Sequence, residues 1–328
     1  MDNLTHTLTG LMLARTGLNR WCPGGTAILL LSANAPDIDV VAGWKDSLTY
    51  LDHHRGYTHA LIAAPLMAAL VVLVVRLAGR KPVPWIKGIA AGCIGVLSHL
   101  LLDWTNTYGI RLLLPFSDRW LRLDITNVVD IWIWAILAMA VAGPMLSKLV
   151  SSEMGAKSGT GRGAAITALV LLFVYEAGRF TLHARAVASI DAHLYQGHAP
   201  RKVEAYPHFA NPLTWTAMVD TGEAVILQRT SLLNAYDPTG GKTWYQPEPH
   251  PAIEKARATA TFRRYLNFAQ TVYWRSTPVD KPEGGVRVEA CDLRFGDPDA
   301  PRFIASAVLD RALKVAGEKY SFGPLRPR

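Results

Sequence analysis

Cysteine is scarce in this sequence, and charged residues are few. The 328 residues include three cysteines, which are too few and too far apart for a disulfide framework or a paired-cysteine metal site. Charged residues make up 18% of the chain, below the roughly 25% of a typical soluble protein, whereas half of the residues are hydrophobic. These proportions exclude a disordered chain, a coiled coil and a single soluble globule.

Dense positive charge and the common catalytic motifs are also missing. The net charge of +8 divides evenly between residues 1–182 and 183–328, and neither part has a dense basic face, so nucleic acid is not an expected partner. The sequence contains no phosphate-binding glycine motif and no evident serine or cysteine nucleophile pattern. The first residues are not basic, so we expect no signal peptide.

Apolar runs dominate the first 182 residues. The uncharged run 56–75 is long enough to cross a bilayer as a helix. Shorter apolar runs lie at 3–14, 21–36, 88–102, 131–147 and 163–175. Short helices are tolerated in a membrane where they line a polar cavity inside the protein. We therefore predict a membrane-embedded all-α bundle of about four to six helices, some of them short, over residues 1–182.

The pattern changes after residue 182. Short alternating segments bounded by Gly, Pro and Asp predict strands, and Ala252–Gln270 is predicted as one helix. The predicted strands are Thr214–Val219, Ala224–Thr230, Thr271–Arg275, Val286–Phe295 and Phe303–Leu309. Residues 183–328 are therefore predicted to form a small α+β extramembrane domain. Lys and Arg cluster near 76–87 and 148–162, and cytoplasmic turns carry such an excess, so we expect this domain to be extracytoplasmic.

Aspartate and histidine carry the polar chemistry of the apolar part. Residues 1–182 hold nine Asp but only two Glu, which indicates placed ligands rather than solvated helix surfaces. His99 and Asp103 are four residues apart, so on a helix they share one face. Such a pair is either a metal-ligand pair or a buried His satisfied by a neighbouring Asp. Asp37 and Asp39 follow Pro36, which disfavours helix before it, and alone they fit a solvated pair of loop acids better than a metal site.

A second group of candidates lies directly before the long run. His54 and His59 flank Arg55, and neutral imidazole is a common ligand for a divalent metal. The planar cation of Arg55 suits phosphate or carboxylate. The alternative is a helix end at the membrane interface with a snorkelling arginine. His6 lies early in a short apolar segment, where a lone histidine is more often structural.

Taken together, these residues predict a metal site. Burying several acids costs several kcal/mol each, and a divalent cation offsets that cost. The candidate ligands are His6, Asp37, Asp39, His54, His59, His99 and Asp103. Nitrogen and oxygen ligands without cysteine favour Zn, with Mn, Fe or Mg as alternatives. Seven candidates exceed one tetrahedral set, so either two ions bind or some residues support the ligands.

Four motifs in a fixed order give the sequence a family resemblance. They are Asn3-Leu4-Thr5-His6-Thr7-Leu8-Thr9-Gly10, Ala35-Pro36-Asp37-Ile38-Asp39, His54-Arg55-Gly56-Tyr57-Thr58-His59, and Ser98-His99 through Asp103. With them the chain resembles the YdjM-like family of LexA-regulated, membrane-bound metal-dependent hydrolases over roughly residues 1–182. The resemblance implies a multi-pass protein of the inner (plasma) membrane with the seven candidates as its metal-site set. It does not cover residues 183–328.

The sequence leaves three functions open. The first is a hydrolase in which a metal-activated water attacks an amphiphilic substrate, such as a lipid or lipid-linked phosphoester. In this hydrolase, His99 or Asp39 acts as general base and Arg55 holds an anionic oxygen of the substrate. The second is a cation or proton transporter, and the third is a non-catalytic scaffold stapled by metal. The expected partners are the lipid bilayer and the amphiphilic substrate. The oligomeric state is left open.

Overall fold

The computed structural model of the chain describes residues 1–79, 82–153 and 160–323. These residues form nine α-helices and eight strands. The helices are α1 Asn3–Arg15, α2 Gly25–Ser32, α3 Ser47–His53, α4 Ala64–Ala78, α5 Trp85–Thr105, α6 Ile131–Glu153, α7 Arg162–Asp191, α8 Pro251–Arg257 and α9 Ala260–Phe268. The strands are β1 Lys202–Pro207, β2 Thr214–Asp220, β3 Ala224–Ser231, β4 Lys242–Tyr245, β5 Val272–Val279, β6 Gly285–Asp292, β7 Ile304–Leu309 and β8 Val315–Ser321.

The helices of the first half include several that are suited to a membrane. Among the described residues, four helical segments are long and apolar enough to cross a bilayer: Leu61–Ala78, Trp85–Thr105, Ile131–Leu149 and Arg162–Asp191. A bent pair, Gly25–Ser32 with Ala35–Trp44, makes a fifth if it is counted as one span. The predicted membrane bundle followed by an α+β domain is confirmed. The outward placement of that domain stays a prediction.

The chain divides into two compact units. The first unit holds Met1–Asp39, Arg55–Ala184 and Pro207–Pro212, and the second holds Val40–His54, Arg185–Tyr206 and Leu213–Arg328. The boundary within α7 falls after Ala184, and each unit also contains a short segment from the other half of the sequence. The domain limits 1–182 and 183–328 stay a prediction.

The short helix α2 lies at the centre of the first unit. It contacts α1, α4 and α5, and its Ile28 and Leu29 are fully buried. Glycines allow the close approach: a Cβ at Gly10 would lie 2.9 Å from the Leu29 carbonyl, and one at Gly95 would lie 2.8 Å from Ser32 Cβ. This packing brings the end of α2 against the face of α5 that carries His99.

The second unit contains two four-stranded antiparallel sheets. Their strand orders are β1-β2-β3-β4 and β5-β6-β7-β8. Register is fixed by pairs such as Ala217↔Gln228 and Val288↔Ala307. The single helix expected over Ala252–Gln270 is wrong: the structure has α8, which ends at Arg257, and α9, which Thr259 caps by accepting a hydrogen bond from Phe262 N (3.4 Å).

Candidate metal centre

Four side chains from separate parts of the first unit converge on one point. Asp37 lies on the 3-10 helix Ala35–Trp44, His59 ends the 3-10 helix Tyr57–His59, and His99 and Asp103 lie one turn apart on α5. One ligand atom from each lies within 4.8 Å of the others. His59, His99 and Asp103 are fully buried, whereas the Asp37 side chain is 14% exposed. The centre therefore has three enclosed ligands and one at its edge.

The spacing of these atoms matches a tetrahedral ion. His59 Nε2 lies 3.1 Å from His99 Nε2 and 3.4 Å from Asp103 Oδ2, and His99 Nε2 lies 3.4 Å from the same oxygen. Asp37 Oδ1 lies 3.5 Å from His59 Nε2 and 3.7 Å from His99 Nε2. In a tetrahedron the ligands are about 1.6 times as far apart as the bond is long, so Zn bonds of about 2.0–2.1 Å need ligands about 3.3–3.4 Å apart.

The hydrogen bonds behind the rings direct their lone pairs toward this point. His99 Nδ1 lies 2.8 Å from the Ala33 carbonyl oxygen, which only accepts, so Nδ1 carries the hydrogen and Nε2 presents a lone pair. His59 Nδ1 lies 3.3 Å from Asp39 Oδ2, which orients His59 in the same way. Two imidazole nitrogens and two carboxylate oxygens thus face one another, and a cation between them would offset the repulsion of their lone pairs.

Arg55 supplies positive charge beside the centre. Its Nη2 lies 3.0 Å from Asp103 Oδ1, and its Nη1 donates to Asn106 Oδ1 (3.0 Å) and to the Gly109 carbonyl (3.3 Å). Its guanidinium also lies over the ring of Tyr108 at 4.7 Å. The residue is only 2% exposed and adopts a left-handed backbone with φ of 56°. These contacts position Asp103, and the predicted oxyanion role of Arg55 stays a prediction.

His6 lies against the centre from α1. Its ring stacks on His99 with centroids 3.7 Å apart, and its Nε2 lies 3.4 Å from Asp103 Oδ1. Both ring nitrogens are buried without a hydrogen-bond partner among the described residues, as is Asp103 Oδ2. Burial lowers the pKa of His6 well below its usual range, and the nearby His99 lowers it further, so the ring is neutral. A neutral ring keeps one nitrogen lone pair, which can ligate an ion.

Asp39 and His54 have different surroundings. Asp39 accepts hydrogen bonds from Arg55 N (2.9 Å) and Thr58 Oγ1 (3.0 Å), besides its contact with His59. His54 belongs to the second unit, where it follows α3 and its ring stacks on Tyr50 with centroids 4.6 Å apart. The metal-ligand and catalytic roles predicted for these two residues stay predictions.

Sequence reasoning missed two supporting groups. The Ala33 carbonyl carries no side-chain signal, so no sequence pattern marks it. Asn106 is fully buried and donates to Asp103 Oδ1 (3.4 Å) while its own oxygen accepts from Arg55 and from Tyr108 N (2.9 Å). Its position three residues after Asp103, at the end of α5, was the available signal.

The Asp39→Asn variant is expected to bind metal about 10- to 100-fold more weakly than the wild type. Asparagine fits the same space, but it removes the charge that orients His59, and losing such support costs that much affinity. Competition with a coloured chelator measures the dissociation constant for Zn²⁺. Unchanged affinity would contradict a supporting role, and loss of one bound ion at saturating metal would make Asp39 a ligand.

Comparisons with known proteins agree with the two-part organisation. A family model described as YdjM inner membrane protein matches residues 1–186, and one described as YfhP C-terminal alpha/beta plait domain matches residues 251–322. The uncharacterized protein YfhP of Bacillus subtilis (strain 168) is 27% identical over 150 residues. That alignment covers 43% of this chain and 46% of YfhP, so less than half of that relative is matched. No solved structure matches the chain.

Proposed function

Because the chain belongs to the YdjM inner membrane protein family, we propose that it is a membrane-bound metal-dependent hydrolase that acts on an amphiphilic phosphoester. The observation that carries the proposal is the convergence of four lone-pair ligands, with His59 Nε2 and His99 Nε2 only 3.1 Å apart, at one end of the membrane helices. A divalent cation would offset the mutual repulsion of such a set. Two histidines with carboxylates and no cysteine favour Zn, and Mn, Fe or Mg are alternatives.

The arrangement of the ligands supports catalysis. Three are enclosed and the fourth, Asp37, lies at the exposed edge, so a substrate would reach an ion in the centre from the side of Asp37. A bound divalent ion lowers the pKa of a water molecule and polarises the scissile group. His6 places a neutral ring beside the centre, with its Nε2 3.4 Å from Asp103 Oδ1. Arg55 neutralises Asp103 and keeps one carboxylate oxygen turned away from the ligand cluster.

The surface next to Asp37 supports an amphiphilic substrate. Ile38, which follows Asp37 in sequence, and Tyr57, Leu61 and Ile62, which flank its partner His59, are all exposed, at 50% to 68%. An acyl chain can lie along such a surface while the polar head reaches the metal. A phosphoester is the head group that a divalent ion beside an arginine suits.

Two p-nitrophenyl phosphodiesters test the proposal. The wild type in nanodiscs, loaded with Zn²⁺ or Mn²⁺, is expected to release p-nitrophenolate faster from a long-chain alkyl ester than from the soluble bis(p-nitrophenyl) ester. Asp37→Asn is expected to lower this rate by at least about tenfold. His198→Ala removes an exposed histidine of the second unit and is expected to behave as the wild type.

One observation favours a second candidate, a structural metal. Asp37, His59, His99 and Asp103 are enough to fill a tetrahedral shell, and a closed shell is typical of a structural ion. A metal-loaded wild type that hydrolyses neither ester would overturn the hydrolase and favour this scaffold. Preference for the soluble ester would overturn the amphiphilic substrate.

A further inference from the structure

The connection between α5 and α6, within the first unit, is folded onto the end of the membrane helices. Its Ile110 is fully buried in an apolar cluster with residues of α4 and α5. The Leu112 carbonyl accepts a hydrogen bond from Leu61 N (2.9 Å), and Ile110 pairs with Leu121 as an antiparallel bridge. These contacts fix the base of a loop whose outer residues, 113–119, are here called the tip.

The base of the tip lies at the same membrane surface as the candidate metal centre. The apolar segment Leu61–Ala78 begins two residues after His59, and the segment Trp85–Thr105 ends two residues after Asp103. Helices α4 and α5 pack together and are joined by a short connection, so they are antiparallel and the start of one lies beside the end of the other. The base is hydrogen-bonded to the first residue of one of these segments, which places it at that level.

The tip exposes apolar side chains that continue the outer surface of a membrane helix. Phe116 is 83% exposed and Leu113 is 44% exposed. Along the segment Leu61–Ala78, exposed apolar residues recur at helical spacing, as Ile62, Leu66, Leu70, Val74 and Leu77. On a helix that crosses a bilayer, a stripe of this kind faces lipid. Because Leu112 is hydrogen-bonded to Leu61, the exposed residues of the tip begin where this stripe begins.

The charges of the tip cancel one another. Asp118 and Arg119 are both exposed, and they are its only charged residues. Attraction to anionic lipid therefore adds little to any contact with a membrane, and the burial of apolar side chains is the contribution that remains.

We propose that the tip docks into the surface of the bilayer, with Phe116 among the acyl chains just below the head groups. The bilayer is the occupant because the exposed surface of the tip continues the lipid-facing stripe of a membrane helix in a member of an inner membrane protein family. The connection between α5 and α6 is then a second attachment to lipid, beside the candidate centre. The inference goes beyond the proposed function and needs neither bound metal nor hydrolysis.

Photocrosslinking of the full-length protein in nanodiscs tests this docking. The photoreactive residue p-benzoylphenylalanine replaces Phe116, Leu66 as the lipid-facing reference, or Tyr245 as an exposed aromatic control on β4. Mass spectrometry after irradiation measures the fraction of chains that carry a covalent phospholipid. Phe116 is expected to give at least about ten times the lipid adduct of Tyr245, as burial of an aromatic ring favours the inserted position by that factor. Phosphatidylcholine and phosphatidylglycerol are expected to give equal yields, because the tip is neutral.

A second variant tests the role of the Phe116 ring itself. With the photoreactive residue at Leu113, Phe116→Asp is expected to lower the lipid adduct, because a carboxylate opposes insertion. An unchanged yield in that variant would overturn the proposal, as would adducts at Phe116 no more abundant than at Tyr245. Crosslinks from Phe116 to another chain in place of lipid would mean that a second copy covers the tip. Adducts confined to phosphatidylglycerol would mean that charge, and not the apolar surface, holds it.

Discussion

Replacing both His99 and Asp103 by alanine is expected to leave the purified protein with less than about a tenth of the wild-type metal. The double variant removes two of the four converging ligands from one face of α5. The remaining pair, His59 and Asp37, cannot enclose an ion, and two ligands seldom hold a divalent metal against a chelating wash. Elemental analysis of protein purified in parallel measures the metal content per chain.

Conservative variants separate metal loss from misfolding. His99→Gln with Asp103→Asn keeps side-chain volume and hydrogen bonding to Ala33 and Arg55, and is expected to lose the metal while it keeps the wild-type elution volume and helix content. His198→Ala serves as the matched histidine control and is expected to keep all of the metal. If the wild type carries no more metal than the double variant, the hydrolase and the structural-metal hypotheses both fail.

Part of the side-chain cluster could be predicted from the sequence because its signal is local. A four-residue spacing on a helix brings His99 and Asp103 to one face without any tertiary information. That Asp37 and His59 join them depends on the packing of α2 against α5, and no local pattern carries this. The different contacts of Asp37 and Asp39 were equally hidden: Asp37 approaches Nε2 of His59 and Asp39 approaches Nδ1, because the two carboxylates leave different sides of a 3-10 helix.

The α+β domain was predicted less completely. Five strands were found, each overlapping an observed one, because alternation marks half-buried strands. Strands β1, β4 and β8 were missed: their residues are short runs rich in Lys, Glu, Thr or Gly, with exposed or partly exposed positions in succession. The placement of Val40–His54 in the second unit was missed for another reason. This placement arises from contacts with α9 and β8 more than 200 residues away in sequence, and no local pattern encodes such contacts.

Arg55→Gln is expected to destabilise the metal-free protein by about 3 kcal/mol. Removing one partner of a buried ion pair leaves the carboxylate of Asp103 with less compensating charge. Asn106 and Gly109 also lose the donor they share. Arg55→Lys keeps the charge but not the fork of donors, so we expect a smaller loss. Thermal unfolding in detergent with a chelator present measures both.

Two further variants or conditions test whether Arg55 stabilises the protein by compensating the charge of Asp103. Asp103→Asn in the Arg55→Gln background is expected to recover part of the stability, because it removes the carboxylate that Arg55 compensates. Added Zn²⁺ is expected to reduce the difference in stability between Arg55→Gln and the wild type, because the ion supplies positive charge beside Asp103. If neither Asp103→Asn nor added Zn²⁺ reduces this stability difference, Arg55 stabilises the protein through its packing on Tyr108 and its left-handed backbone rather than through Asp103.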